Sequence, residues 1–277
     1  MAVDDGDPVL LGQLTDLHVV TPDTDAELHV DNVARVRAAV RSVVAESPAL
    51  DAVLLTGDLV NDARPGEYRV LAELLVPIEA PLLAIPGNHD DRDHVRATFP
   101  HLDWVDAVHA SWVHAVRGVR VVGLDSTRPG HPGAEVDDER ASWLEGVLAR
   151  PHDGPTVLAM HHPPFETGIA WMDEAGFVGR DRLREVVAAA PVDRIACGHL
   201  HRPIASTFAG VAAQVGVSPV QHVALDLDPG AGVSLVRDPA GYQVLRIERD
   251  DHGAEIVVHT RHVGTPERPF RPRWADR

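Results

Sequence analysis

Five short apolar runs recur along the first two thirds of the chain, and each stops at a cluster of polar side chains. Val9-Leu10-Leu11-Gly12-Gln13-Leu14 runs into Thr15-Asp16-Leu17-His18, and Ala52-Val53-Leu54-Leu55 into Thr56-Gly57-Asp58. Leu82-Leu83-Ala84-Ile85 ends at Pro86-Gly87-Asn88-His89-Asp90-Asp91. Thr156-Val157-Leu158-Ala159-Met160 ends at His161-His162-Pro163-Pro164, and Arg194-Ile195-Ala196-Cys197 at Gly198-His199-Leu200-His201. Short continuous apolar runs bounded by turn residues predict buried strands. A further strand is predicted over residues 118–125.

Between these runs the period changes. Val33, Val36, Val40 and Val43/Val44 follow helical spacing, so a helix is predicted over residues 31–46, with Asp31 as its N-cap and Pro48 past its end. Val70, Leu71, Leu74 and Leu75 predict a second helix over about 67–77. Two more are predicted over 139–148 and 180–190. After Arg202, segments rich in Val, Ala and Leu alternate with turns such as Asp228-Pro229-Gly230. Residues 242–248 and 254–260 flank Asp250-Asp251-His252-Gly253, a hairpin signal. The chain is therefore expected to be one α/β unit. Residues 1–202 form a strand-helix core. Residues 203–265 are β-rich and complete a sandwich or form a cap or oligomer interface. Residues 266–277, rich in Pro and Arg, make an extended tail.

Composition narrows the function. The 277 residues are 44% hydrophobic, enough for a real core, and the net charge is −17. An acidic surface repels phosphate polymers and anionic membranes. That weighs against a nuclease of long DNA or RNA and leaves room for a small anionic substrate. The single cysteine, Cys197, excludes an intrachain disulfide. Residues 1–8 lack the basic and apolar regions of a signal peptide, and no apolar run approaches the ~18 residues of a membrane span. A cytoplasmic location is expected.

The chemistry gathers at the strand ends, where ligands of strand-helix sheets bind. Asp16 and His18, two apart on an extended chain, can reach one side. Alone, Asp-x-His, Gly-Asp and His-His-Pro-Pro are weak, a turn with an acid or a stiff loop, while Gly-Asn-His-Asp and Gly-His-x-His are stronger because glycine lets the backbone approach a ligand closely. Together they bring carboxylate, amide and imidazole donors and no thiolate. That set suits Zn, Mn, Fe or Co rather than a structural zinc site.

The ordered set Asp-x-His, Gly-Asp, Gly-Asn-His-Asp, His and Gly-His-x-His resembles the calcineurin-like metallophosphoesterases over about residues 9–202. Gly87-Asn88-His89-Asp90-Asp91, Leu124-Asp125-Ser126-Thr127-Arg128-Pro129-Gly130 and Met160-His161-His162-Pro163-Pro164 look most like the class III cyclic nucleotide phosphodiesterases and related glycerophosphodiesterases. The resemblance implies two packed mixed β-sheets flanked by helices. It implies two divalent metals, Asp16, His18 and His201 holding the first, Asn88, His161 and His199 the second, with Asp58 as bridge. Two cations ~3.5–4 Å apart clamp a phosphoryl group and lower the pKa of a bridging water, giving a hydroxide nucleophile near neutral pH. His89 is the candidate proton donor or phosphate clamp, and Arg64 and His162 are candidate substrate contacts. The exposed apolar mix of residues 167–173 suits a lid, a substrate wall or a partner contact. The expected activity is hydrolysis of a small diester, first a 3′,5′-cyclic nucleotide such as cAMP. A glycerophosphodiester comes next, then a phosphomonoester, with an inactive binding scaffold as the other class. The resemblance also suggests a homo-oligomer.

Overall fold

Strands that are apolar at every position have to be covered on both faces. The structure, a computed structural model, describes residues 7–21, 31–46, 48–105, 109–250 and 253–264, and the expected tail over 266–277 lies outside these. Its two main sheets are built from β1 (Val9–Leu14), β2 (Ala52–Thr56), β3 (Leu82–Ile85), β4 (Trp112–Val116), β5 (Val119–Leu124), β6 (Thr156–Met160), β7 (Arg194–Cys197), β8 (Ile204–Phe208), β9 (Val211–Val215), β10 (Gly241–Asp250) and β11 (Gly253–His262). The first sheet runs β11-β10-β1-β2-β3 and the second β8-β9-β7-β6-β5-β4. Both are mixed. β1, β2 and β3 are parallel, as are β5, β6, β7 and β9, while the antiparallel pairings lie toward the edges. A small three-stranded sheet of Thr127–Arg128, His131–Glu135 and Phe177–Val178 adjoins them.

The period of two along the strands divides the core. Val121, Val157, Ala159 and Ala196 join one apolar cluster with the first sheet, α1 (Asn32–Val44), α2 (Pro65–Leu75) and α3 (Arg92–Thr98). Their neighbours Val122, Leu158, Met160, Ile195 and Cys197 join the other cluster, with α4 (Asp138–Leu148) and α6 (Arg180–Ala188). The result is the expected pair of packed sheets with helices outside. The residues after Arg202 enter both sheets: β9 lies parallel to β7, and β10 lies antiparallel to β1.

Most elements lie where the pattern puts them, with shifts at the ends. The second helix starts earlier than expected because Pro65, preset for a first helical turn, opens it. Asp31 precedes the first helix without a side-chain capping bond. The pattern did not reveal α3, which buries only Val95, nor β4, whose centre is half-buried or exposed. Residues 167–173 correct an expectation. Ile169 is fully buried, and Trp171 and Met172 pack on the second core, so this segment is not an exposed apolar wall. Its short helix α5 (Ala170–Asp173) ends in Asp173, whose carboxylate accepts from Thr167 N, Thr167 Oγ1 and Gly168 N at 2.8–3.1 Å.

One contact fixes the two sheets at their edges. Trp112 of β4, fully buried, donates from Nε1 to the Ala84 carbonyl of β3 at 2.6 Å. Its ring lies over Gly123, its cross-strand partner, where a Cβ would stand 2.3 Å from the ring. Gly146 in α4 is the opposite case: it is exposed, and a Cβ there meets nothing within 4 Å. One substitution should therefore have opposite signs at the two sites. Gly123→Ala should cost about 1–3 kcal/mol by overpacking, and Gly146→Ala should add about 0.5–1 kcal/mol. Urea denaturation midpoints of the two variants check this.

Candidate metal centre

The ends of β1, β2, β3, β6 and β7 converge. The backbone there leaves the extended form abruptly. Asp16, His18, Asp58, His199 and His201 all have positive φ, between 40° and 74°. Non-glycine residues rarely take that region, and such strain clusters at functional sites. The first two turns hold each other: Asp16 N donates to Gly57 O and His18 N to Asp58 O, both at 3.0 Å. Two glycines are required by close approach. A Cβ on Gly57 would stand 2.5 Å from His161 Nδ1, and one on Gly87 would stand 2.2 Å from Asp58 Oδ1.

Two groups of donors result. Asp16, His18, Asp58 and His201 place ligand atoms within 4.8 Å of one another, all buried. His161, His162 and His199 do the same. Asn88 belongs with the second group, its Oδ1 lying 3.2 Å from His161 Nε2. Asp58 stands between the groups. Its Oδ2 is 3.6 Å from His18 Nε2 and 3.3 Å from His161 Nε2, while its Oδ1 accepts from His89 N at 2.8 Å.

These donors fit a cation. A neutral ring whose Nδ1 faces a carbonyl keeps its proton there, so its Nε2 presents a lone pair. His18 Nδ1 faces Asn61 Oδ1 at 3.2 Å, His201 Nδ1 faces Gln221 O at 2.9 Å, and His161 Nδ1 faces Thr56 O at 2.8 Å. His18 Nε2 and His201 Nε2 then point at each other across 3.2 Å, acceptor against acceptor. A positive charge resolves such an arrangement. The second group already holds one: burial depresses the His161 ring, but the Asp58 carboxylate beside it raises it to about 9. Burial also raises Asp58, yet His161 and the other rings hold it well below the usual carboxylate range. Burial pushes His199 down to about 3 and His18 well below its ordinary value, so these rings stay neutral.

The other expected residues divide. His89 lies at the surface. Its Nδ1 donates to Asn61 O at 2.7 Å, which leaves Nε2 for a ligand, and its ring lies 4.7 Å from that of His18. His162 is buried with Ser126 Oγ 2.9 Å from Nδ1 and Pro132 O 3.1 Å from Nε2. Both nitrogens are engaged by the protein itself, although the ring falls among the converging rings. Arg64 opens α2 with its guanidinium exposed and 3.2 Å from Asp62, outside both donor groups.

Several supporting residues carried no legible role. Asp90 accepts from Gly87 N, Leu59 N and Val60 N at 2.8–3.2 Å and from the Tyr68 hydroxyl, tying the Asp58 loop to the Asn88 loop. Burial and the Asp58 charge raise it to about 7. The one signal for it was its place after Gly-Asn-His. Ser218 donates from Oγ to Asp16 O at 2.7 Å, and Gln221 receives His201 Nδ1, both from the stretch beyond Arg202 that has no motif.

The His161 proton gives a test of this centre. A cation at His161 must displace it, so loading the metal-free protein near pH 7.5 should release about one proton at the second group. Affinity there should rise about tenfold per pH unit and level off above about pH 9. Titration calorimetry in buffers of different ionisation enthalpy reads the proton count. Loading without release would remove His161 from the ligand set.

Residues 10–203 match the sequence profile described as Calcineurin-like phosphoesterase. A probable glycerophosphodiester phosphodiesterase of Arcobacter nitrofigilis is 30% identical over 265 residues, covering 95% of this chain and 96% of its own. A cAMP/cGMP dual specificity phosphodiesterase of Mycobacterium tuberculosis is 31% identical over 263 residues, covering 92% and 79%. Among solved structures, a purple acid phosphatase from yellow lupin superposes with a TM-score of 0.65 at 14% identity, over 93% of this chain and 52% of that one, so this chain spans about half of its length. That likeness speaks for the fold alone. With the profile spanning well over half of the chain and these relatives aligned along nearly all of it, the protein belongs to the calcineurin-like phosphoesterase family.

Proposed function

We propose that the protein hydrolyses a small phosphodiester, most readily a 3′,5′-cyclic nucleotide, at a centre of two divalent metal ions. The observation that carries this is Asp58 Oδ2, which faces both groups of converging acceptors. Asp16, His18 and His201 would hold one ion, Asn88, His161 and His199 the other, and Asp58 would join them. Their borderline-hard donors fit Mn, Fe, Zn or Co. Bound there, the pair supplies charge neutralisation for the phosphoryl group and activation of a water. The chain's own residues do the rest. Neutral His18 and His199 offer lone pairs at neutral pH. Asp58 keeps its negative charge down to strongly acidic pH, so both groups stay anionic at their shared edge.

His89 is placed to handle the leaving oxygen. Burial lowers its pKa, but the Asp58 charge, the Asn61 carbonyl and the Asp90 charge raise it on balance. With Nδ1–H committed to Asn61, the ring can present its second proton from Nε2. Such acid catalysis is worth ~10²–10⁴-fold. The net charge of −17 and the names of the relatives both favour a small soluble diester over a polymer. A glycerophosphodiester is the second reading, because a relative so named aligns along 95% of the chain. The catalytic groups all precede residue 203. The exposed side chains of Leu225, Leu227, Val233 and Leu235 support self-association by the part that follows.

Two measurements test this reading. Elemental analysis of the reconstituted protein should give about two metal equivalents per chain, the count a two-metal mechanism requires. Asp58→Asn should lower both and nearly abolish turnover, while Asp62→Asn, an exposed change, should do far less. Full activity at one equivalent would sink the two-metal centre. Turnover of cyclic AMP, glycerophosphoethanolamine, bis-p-nitrophenyl phosphate and a monoester with added Mn then ranks the substrates. In the same panel, His89→Ala should cost the alkyl diesters up to ~10²–10⁴-fold in kcat and the nitrophenyl diester much less, since nitrophenolate leaves without a proton. Equal losses would make His89 a phosphate clamp instead.

A further inference from the structure

A cavity of about 360 Å³ opens beside the centre. Its walls are Gly87 and Asn88, the first turns of α3, and the turn from Thr127 to Gly130. Of the proposed metal ligands it borders Asn88 alone. Its size is at the small end of the ~300–1,000 Å³ range of small-molecule sites, and far beyond what a phosphoryl group fills.

The charges in this cavity are almost all committed. Arg92 Nε lies 2.6 Å from the buried Asp125 and Arg92 Nη2 donates to Thr127 O. Arg96 pairs with Asp93 at 2.9 Å. Asp91 caps α3 through the Asp93 and His94 amides and lies 3.1 Å from His94 Nδ1. Asp90 is taken by backbone amides. Arg128 differs: it lines the cavity, is exposed, and its guanidinium makes no ion pair or side-chain hydrogen bond among the described residues. Its base is rigid all the same. Thr127 donates from N and Oγ1 to Asp125 Oδ1 at 2.8 and 2.7 Å, and Ser126 holds His162. The anchored turn therefore presents a guanidinium with unused donors to the cavity that Asn88 also lines.

We propose that this cavity is the subsite for the alcohol half of the diester, and that Arg128 is its specificity-determining contact. The inference rests on the phosphodiesterase reading above. A guanidinium offers five N–H donors and no acceptor. The alcohol half it selects is rich in acceptors, such as ring nitrogens, carbonyls or hydroxyls, and carries no cation of its own. A nucleoside and a glycerol share that chemistry.

The test compares wild type, Arg128→Ala and Arg128→Lys on three diesters with Mn. These are cyclic AMP, glycerophosphoglycerol and methyl phenyl phosphate, whose methyl and phenyl groups have no acceptor for Arg128 to hold. Arg128→Ala should lower kcat/KM for an acceptor-rich diester about tenfold or more beyond its effect on the methyl ester, the loss expected of a charge-assisted hydrogen bond. The loss should lie mainly in KM, and Arg128→Lys should restore part of it. Which of the first two substrates suffers tells whether the occupant is a nucleoside or a glycerol. A second readout needs no turnover: adenosine or glycerol should perturb the NMR signals of residues 127–130 in wild type and less in Arg128→Ala. Equal losses on all three diesters would assign Arg128 to the phosphoryl group and overturn the subsite, as would no loss on any. Failure of wild type to turn over any diester would overturn the phosphodiesterase reading, and the subsite with it.

Discussion

The structure is organised around a buried meeting of acceptors. Asp58 Oδ2, His18 Nε2, His201 Nε2, His161 Nε2 and Asn88 Oδ1 stand 3.2–3.6 Å from their neighbours in this set, and of these only the charged His161 ring can donate while the Nδ1 atoms of His18 and His201 serve carbonyls. Buried polar atoms without partners are costly. The arrangement persists because every ring is fixed from behind: Asn61, Gln221 and Thr56 oxygens hold the three Nδ1 atoms. The carboxylates are fixed by backbone amides of other loops, His199 N on Asp16 and His89 N on Asp58. Local unfavourable contacts at the centre are thus offset by hydrogen bonds one shell out.

That demand reaches into the backbone. Five of the seven proposed ligands have left-handed φ, a conformation costing on the order of 1–3 kcal/mol each for residues other than glycine. The two sheets provide the counterforce. Parallel strands buried on both faces make rigid posts, and their carboxyl ends all open on the same side. A softer scaffold would relax the turns and let the acceptors separate.

The sequence made the posts and the candidate ligands legible but not the supports. Apolar runs ending in Asp58, Asn88, His161 and His199 are visible because a buried strand needs continuous apolar residues and a ligand needs a particular side chain. Two adjacent histidines were harder. His161 and His162 differ only in which face of the turn each occupies, and the structure separates them by what their rings bond. Ser218 and Gln221 left no trace, since a hydroxyl or a backbone carbonyl in a β-rich stretch has no spacing rule. Residues 167–173 looked exposed because Ile169, Trp171 and Met172 follow no strand or helix period; their burial depends on a core assembled from distant segments. α3 was hidden for a related reason, burying a single residue.

Asp90 shows how the support shell couples chemistry to fold. It accepts the amides of Leu59 and Val60, just past Asp58, and that of Gly87, just before Asn88. One carboxylate therefore sets the spacing between Asp58 and Asn88, the proposed bridge and the proposed amide ligand. Gly87 is constrained from the other side, since any Cβ would strike Asp58. The same loop places His89 N on Asp58 Oδ1 and leaves the His89 ring at the edge of the site. Asp58, Asn88 and His89 are thus tied to one another through Asp90, so a change in Asp90 is expected to disturb all three. Arg128 stands on a separate turn anchored by Asp125, and Arg92 joins that turn to the start of α3. On the proposed reading, reaction geometry and substrate choice rest on two braces, an arrangement in which the second can vary while the first stays fixed.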